Sequence, residues 1–443
     1  MFTSGLLVLP TTRGYLLTFR FQARAFGSVF ATLCISFATE TARAESDSGE
    51  PMALTLEAAL ETALEESPLV RRARQETKKV RARKVDAELL LPANPNLQIG
   101  AGRRSEAATG SDPKVTGLQF NLQLGQNINV AGQRAARIEV VDRAVAASLA
   151  RETLAVVETK ARVRIAYVSA ALARQQLESA REYEGLAQQF VEAVKRQVAE
   201  GAASEIDLQL ATLQRVEVER ERLEAERNAN LALSPLRAIL NLHPQRPINI
   251  TSRVALPEER EDILPSLIAT AEKTRAEFAA LDKSKQELDA TLVSLGRQAI
   301  PDPQIYLSIQ QDLPGQYYLG GGVQVDLPTF RRNQGPKAEV RASIEQLEND
   351  RALLSRSVAI EVAAAHHNVL ALRDQVKLVE AKVLPAADRS AELLREGWRS
   401  GKFDFFRVIQ ASREAWSARR NYYRILGDLW LASTELDRAA GRL

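Results

Sequence analysis

The chain has 443 residues, with 59 Lys and Arg against 56 Asp and Glu, 5% aromatic side chains and a single Cys. Abundant charge with few aromatics is the composition of long helices and coiled coils rather than of an enzyme with a dense aromatic core. No run of about 18 apolar residues occurs in the body of the chain, which excludes a transmembrane helix there.

In chain order, Arg13, Arg20 and Arg24 precede an apolar stretch from Ala25 to Ala38, and Ala42-Arg43-Ala44 supplies small residues at −3 and −1 of a cleavage site. Residues 1–44 therefore read as a secretory signal. They carry four Arg and one Glu, so without them acidic and basic side chains balance at 55 each. A balanced charge gives a nucleic-acid partner no electrostatic support. The only cysteine, Cys34, lies inside this segment, and Leu33 before it is too large for a lipoprotein attachment site. The exported chain is then expected to lack cysteine altogether, which removes disulfide and thiolate-metal chemistry.

The remainder is written twice. Gly201 answers to Gly401 and Ala211 to Ala411, while Arg137-Ile138-Glu139-Val140 answers to Lys337-Ala338-Glu339-Val340, all at an offset of 200. Pro95-Asn96-Leu97-Gln98-Ile99 matches Pro303-Gln304-Ile305-Tyr306-Leu307 at 208, so eight extra residues are expected in the first copy, around Arg103 to Val115. A duplication on this scale exceeds the roughly 20–50-residue period of solenoids. It divides the chain into a first repeat (45–243), a linker (244–262) and a second repeat (263–443).

Each repeat opens with short amphipathic helices, Leu54 to Leu91 and Ile263 to Gln298, broken near Pro68 and Arg275. Strand patterns follow. Leu97 and Ile99, then Leu118, Phe120, Leu122 and Leu124, alternate with amides. The second copy repeats this at Ile305, Leu307 and Ile309, and at Val323, Val325 and Leu327. Such alternation suits a barrel wall, apolar to lipid and polar to a lumen, and equally a sandwich strand with one wet face. Four strands cannot close a barrel, and open edges are not tolerated in hydrocarbon. Eight strands have a filled interior, so a conducting barrel is most simply a trimer of twelve.

From Gly132 to Ala199 there is no proline and one glycine, Gly185; if helical throughout, this spans about 100 Å. Apolar residues recur at Ile138, Val141, Val145, Leu149, Val156, Val163, Ala170 and Leu177. The second copy alternates by threes and fours from Ile344, Leu347, Arg351, Leu354, Val358 and Val362 through Val383. This is a coiled-coil seam. Pro385, and Gly185 at the same offset, are expected to bend the long helices. Glycine turns at Gly201 and at Gly397 and Gly401 return each as a shorter helix, about 205–242 and 403–440. Between the copies a proline-rich segment, strand-like at Ile248 to Val254, is expected to lie outside the helices. His366 and His367 point about 100° apart on a helix and cannot chelate one ion together, so a solvated or lumen-facing pair is expected.

Helix–strand–strand–helix–helix, duplicated behind a signal sequence, resembles the TolC-like outer-membrane efflux family across essentially the whole mature chain. The marks are Pro92-Ala93-Asn94-Pro95, Gly132-Gln133-Arg134-Ala135-Ala136-Arg137-Ile138 and Pro328-Thr329-Phe330-Arg331-Arg332-Asn333-Gln334-Gly335. The last is most similar to the branch serving cobalt–zinc–cadmium type cation efflux. The resemblance implies a mainly α protein with membrane β: a homotrimer whose 12-stranded β-barrel sits in outer-membrane lipid and continues as an α-helical coiled-coil barrel across the periplasm. It implies an RND-type inner-membrane pump and a periplasmic adaptor as partners, no cofactor, no bound metal and no catalysis. It places a gate where the hairpins converge. The archetype's inward acidic pair corresponds here to Arg407 and Gln410, with Asp404 one turn from Arg407; its tethering tyrosine corresponds to Trp398, facing Asp207. Adaptor docking falls on the tips at Gly201 and Gly401. Rival readings are a duct for drugs, lipids or secreted peptides, and a periplasmic coiled-coil scaffold without a pore.

Overall fold

The computed structural model describes residues 52–106, 115–260, 262–313, 315–400, 402–403 and 405–443. Residues 1–44, expected to be a signal, lie outside the described residues, as do Gly401, Asp404 and most of the long loop of the first repeat. The first repeat comprises β1 (Met52–Leu54), α1 (Leu56–Glu66), α2 (Pro68–Ala87), β2 (Asn96–Glu106), β3 (Val115–Asn127), α3 (Gln133–Ala199) and α4 (Glu205–Ile239). The linker holds β4 (Ile248–Ile250). The second repeat comprises α5 (Leu264–Thr274), α6 (Ala276–Gln298), β5 (Gln304–Leu313), β6 (Gln316–Gln324), α7 (Gln334–Leu378), a π-helical turn (Val379–Val383), α8 (Leu384–Arg399) and α9 (Phe405–Ala439).

The opening helices break where expected and alike. Ser67 before Pro68 and Arg275 before Ala276 take nearly the same extended ψ, 128° and 127°. Pro68 enforces this in the first copy, because the residue before proline is excluded from the helical region. The long helices start alike too. Gly132 and Asn333 both adopt left-handed backbone, at φ 73° and 58°. The glutamine that follows each turns its side-chain oxygen back to the N–H two residues upstream, at 2.8 Å for Gln133 and 2.7 Å for Gln334. This pairing places Arg137 and Lys337 one residue out of structural step. Seven of the eight extra residues therefore lie, in net, between the start of the first strand and the start of the long helix, and one beyond it.

Pro385 does interrupt the second long helix, in a specific way. Its ring clashes with the carbonyl four residues back, which is that of Ala381, inside the π turn. Leu384 accordingly donates to Val379 O, five residues back. Gly185 does not match it; α3 runs through unbroken.

The four-stranded sheet has order β2-β3-β5-β6, antiparallel throughout. Its register puts Leu97 opposite Leu124, Ile99 opposite Leu122, Leu122 opposite Ile309, Leu124 opposite Leu307 and Ile309 opposite Leu319. The middle of one face is therefore apolar and, within one chain, bare, with Arg103 and Gln311 on the same face at one end and Gln126 at the other: Ile99 is 72% and Leu319 75% exposed. The other face carries Gln98, Gln119, Asn121, Gln123, Gln304, Ser308 and Gln310, with Tyr306 and Tyr318. The last strand differs from expectation. It is Gln316–Gln324, not the stretch through Leu327. Gly315, at φ 88°, sets a tight turn, and Gln324 is paired with Gln304, the first residue of β5. Nothing remains for Val325 to Leu327 to pair with.

The helices form a wall. Upstream of its midpoint α3 packs on α2 and α6; towards its end it packs on α4 and α9. α7 takes α6 on the same upper level, and α7 and α8 take α9 below. The seam in the second copy is buried as expected at Val358, Val362, Ala365, Val369, Val376 and Val379. Arg351 is its polar exception, lying over the Phe278 ring at 5.4 Å and pairing with Asp282 at 3.1 Å. In α3, Val163, Ala170 and Leu177 are buried, but above them Ala144, Ala147 and Ser148 replace Val145 and Leu149. Small residues win there because α2 comes close enough for Thr77 Oγ1 to lie 3.1 Å from Ser148 Oγ.

The linker is not merely external. β4 pairs in parallel with β1, and Leu54 and Ile250 are buried in one core with Ala59, Val163, Tyr167 and Leu236. Further along it ties down the second repeat. Ala255 O accepts from Trp430 Nε1 at 2.8 Å, Glu258 O from Arg373 at 2.9 Å, and Arg260 pairs with Asp437 at 3.1 Å. His366 lies 3.1 Å from Asp262 O and is partly buried, while His367 is exposed. The expected pair is thus split between a structural and a solvated histidine.

Candidate functional site at the hairpin tips

The tip of the first hairpin is built by backbone chemistry. Gly201 takes φ 74°, which lets Ala202 N–H reach back to Gln197 O at 2.8 Å and close the end of α3. This is the helix stop that favours glycine. At the second tip Lys402 N–H reaches Gly397 O at 2.7 Å, in the same spacing. Gly397 is required for another reason: the Phe403 ring occupies the space where a Cβ would stand.

Ser204 starts α4 and pairs reciprocally with Asp207. Asp207 N–H donates to Ser204 Oγ at 3.2 Å, while Ser204 N–H and Oγ–H donate to Asp207 Oδ2 at 2.9 and 2.7 Å. These two donors hold the Asp207 carboxyl below its usual range. A carboxylate whose pKa is lowered by folding contributes stability above its unfolded value, roughly 3.9, and loses it as pH falls through the folded value. Ser204→Ala should therefore cost α4 about 1 kcal/mol of end stability. Amide exchange at residues 205–208 should accelerate in that variant at neutral pH. In the native chain the same amides should accelerate only on acidification below the ordinary carboxylate range.

Trp398 lies on the Phe190 ring at a centroid distance of 4.6 Å, in a cluster with Val194, Ala211, Leu208 and Ile409. Within the chain, then, Trp398 packs between the two hairpins and Asp207 caps its own helix; no hydrogen bond joins them. Oδ2 takes both Ser204 bonds, which leaves Oδ1 of Asp207 to a donor from outside the chain. Arg407 and Gln410 stand exposed on α9, on the face opposite to the packed Val408 and Ile409. Above them Tyr183 stacks on Trp416 at 5.5 Å and 12°, and burial pushes the Tyr183 phenol above its ordinary value. The aromatic lining made by Tyr183, Phe190 and Trp416 is not among the sequence expectations. The signal was available in part, since aromatics are scarce in the chain and all three lie within 18 residues of a tip glycine.

Among the described residues no helix is long and apolar enough to cross a membrane, and no group of three or more His, Cys, Asp or Glu could hold a metal. The wall-and-sheet architecture coincides with a known family, described as Outer membrane efflux protein, which matches residues 59–242. A curated relative, the cobalt-zinc-cadmium resistance protein CzcC of Cupriavidus metallidurans, is 28% identical over 342 residues, covering 75% of this chain and 79% of the relative.

The chain resembles the outer membrane efflux proteins, over residues 59–242 in the family match and over 75% of its length in CzcC.

Solved structures of the same fold include CusC, at TM-score 0.66 and 15% identity over 87% of this chain and 92% of the other. A membrane protein from Pseudomonas aeruginosa matches at 0.68 and 17%, over 87% and 93%. VceC of Vibrio cholerae matches at 0.66 and 17%, over 87% and 96%. As a TolC-like efflux protein the chain is an exit duct, located in the outer membrane and extending into the periplasm. The family is one of channels, not of enzymes.

Proposed function

We propose that three copies of this chain close into one duct that passively conducts divalent metal cations. An RND-type inner-membrane pump and a periplasmic adaptor deliver the cargo. The observation that carries the trimer is the sheet: one face bears a bare apolar band, and two edges, β2 and β6, have no strand partner among the described residues. Neither is compatible with hydrocarbon or water unless further strands continue the wall. The uncharged amides of the other face then line a wet lumen, which speaks against a pore-less scaffold. The metal reading rests on the resemblance to CzcC and to the Pro328–Gly335 string.

Removing the gene from its native host should lower tolerance to Co²⁺, Zn²⁺ or Cd²⁺ at least fourfold, restored by the full chain. If tolerance to drugs falls and metal tolerance does not, the cargo reading fails while the duct stands.

The gate belongs to the same proposal. Trp398 bound between hairpins, Asp207 with one free oxygen, and Arg407 and Gln410 on the open face of α9 are the residues that hold the resting tips together. The turns at Gly201 and Gly401 receive the adaptor. In planar bilayers Trp398→Ala and Asp207→Ala should each raise closed-state current several-fold. Currents equal to those of the unmodified protein would remove these two residues from the gate.

A further inference from the structure

Between the two hairpins, from Glu200 up to Tyr183, lies a cleft of about 730 Å³, within the ~300–1,000 Å³ range of small-molecule sites. Both hairpins build it. α3 gives Tyr183, Leu186 and Phe190, α8 gives Arg395 and Trp398, and α9 gives Val408 and Ile409. The wall sets aromatic and aliphatic side chains among glutamines such as Gln197 and Gln214, and the exposed Glu192, Arg196 and Glu200 also border it. Arg395 is different. Its Nε is buried without a hydrogen-bond partner, and among the described residues its guanidinium has no carboxylate partner, whereas the neighbouring Arg389 is paired with Glu392 at 2.8 Å. An orphaned donor in a low-dielectric wall costs free energy unless an acceptor reaches it.

We propose that this cleft binds a small organic anion with a flat apolar body, an aromatic carboxylate or sulfonate. Its head pairs with the Arg395 guanidinium, whose planar fork matches a carboxylate. Its body lies against Tyr183, Phe190 and Trp398, whose aromatic rings favour a flat partner over a flexible chain. Because α3 belongs to one hairpin and α8 and α9 to the other, the occupant ties the hairpins together and favours the closed tip. This role does not depend on which cargo the duct carries.

Isothermal titration of the intact trimer in lipid nanodiscs tests it, with 2-naphthoate as the probe. The expected result is saturable binding at one site per chain, weakened at least tenfold by Arg395→Gln and unchanged by Arg389→Gln. The neutral 2-naphthylmethanol should bind at least tenfold more weakly than the carboxylate, and decanoate more weakly than 2-naphthoate. Trp398→Leu gives an independent loss should Arg395→Gln fail to assemble. Uptake no different from empty nanodiscs, equal binding by Arg395→Gln, or equal binding of the neutral probe would overturn the proposal.

Discussion

Aspartate at both Leu213 and Leu223 should leave the chain helical but abolish the proposed trimer. The wall shows why. In the lower half the order across one chain is α4, α3, α9, then α7 with α8, so α4 and α8 are the free flanks. On α4 the inner face is packed at Ala211 and Val218, while Leu213 is 60% and Leu223 51% exposed, in line with Ile206 and Leu231. On the opposite flank Leu378 and Leu393 are exposed at corresponding levels above the tip. Two bare apolar stripes, at the two ends of one curved wall, are complementary only if the next copy supplies the missing side. Each aspartate would take an unpaired carboxylate into that contact, at several kcal/mol apiece, repeated at three interfaces. Size-exclusion chromatography with light scattering should find monomer, and the heat-resistant band on gels should vanish. Glu205→Gln, on an exposed polar position of the same helix, should leave the trimer intact. A trimer that survives both aspartates would place the interface elsewhere and reopen the arrangement of the duct.

Much of this is legible in the primary structure where the signal is periodic or local. The seam from Leu354 to Val379 follows from alternation by threes and fours, and the breaks at Ser67 and Arg275 fall where Pro68 and its counterpart place them. The apolar strand face is readable as residues, though not its end. β6 stops at Gln324 because its partner starts at Gln304, a fact of pairing that Val325 and Leu327 do not announce. The upper half of α3 departs from its sequence pattern for a related reason. Valine and leucine mark a seam only if the neighbour stands at ordinary distance, and α2 stands closer, so alanine and serine are buried instead. The parallel pairing of β1 with β4 joins residues about 200 positions apart and has no local signature. At the tips, Ser204-x-x-Asp207 is a capping box that can be read directly, and it accounts for most of Asp207's hydrogen bonding. The aromatic cleft has no such signature, because its wall comes from four helices spread between Tyr183 and Ser412.

Arg275→Ala should cost about 3–5 kcal/mol, more than any other single side-chain truncation proposed for this chain. Its side chain is 4% exposed at the break between α5 and α6, and its two Nη atoms hold Glu361 on α7 at 2.5 Å and Glu277 on α6 at 2.6 Å. Arg438 on α9 extends the network to Glu435 at 2.5 Å and Glu361 at 3.5 Å. One guanidinium thus joins α6 to α7, and a second carries the link to α9. The first repeat solves the same junction with Ser67, buried and neutral, so the ionic solution is not demanded by the backbone. Removing Arg275 leaves Glu277 without its cation and Glu361 with Arg438 alone at 3.5 Å, which is where the cost arises. Arg275→Met with Glu361→Gln should recover much of it, because an apolar side chain of similar length then faces a neutral amide. The pH dependence separates this account from simple loss of packing. Burial raises the Glu277 carboxyl, but hydrogen bonding to Arg275 outweighs it and holds the group below its ordinary range, so the native pair contributes fully above that range and weakens as pH falls through the lowered value. In Arg275→Ala the stranded carboxylates are relieved by protonation. The gap in urea midpoint between native and variant trimers should therefore narrow from pH 7 to pH 4. A gap that stays constant would assign the loss to packing alone.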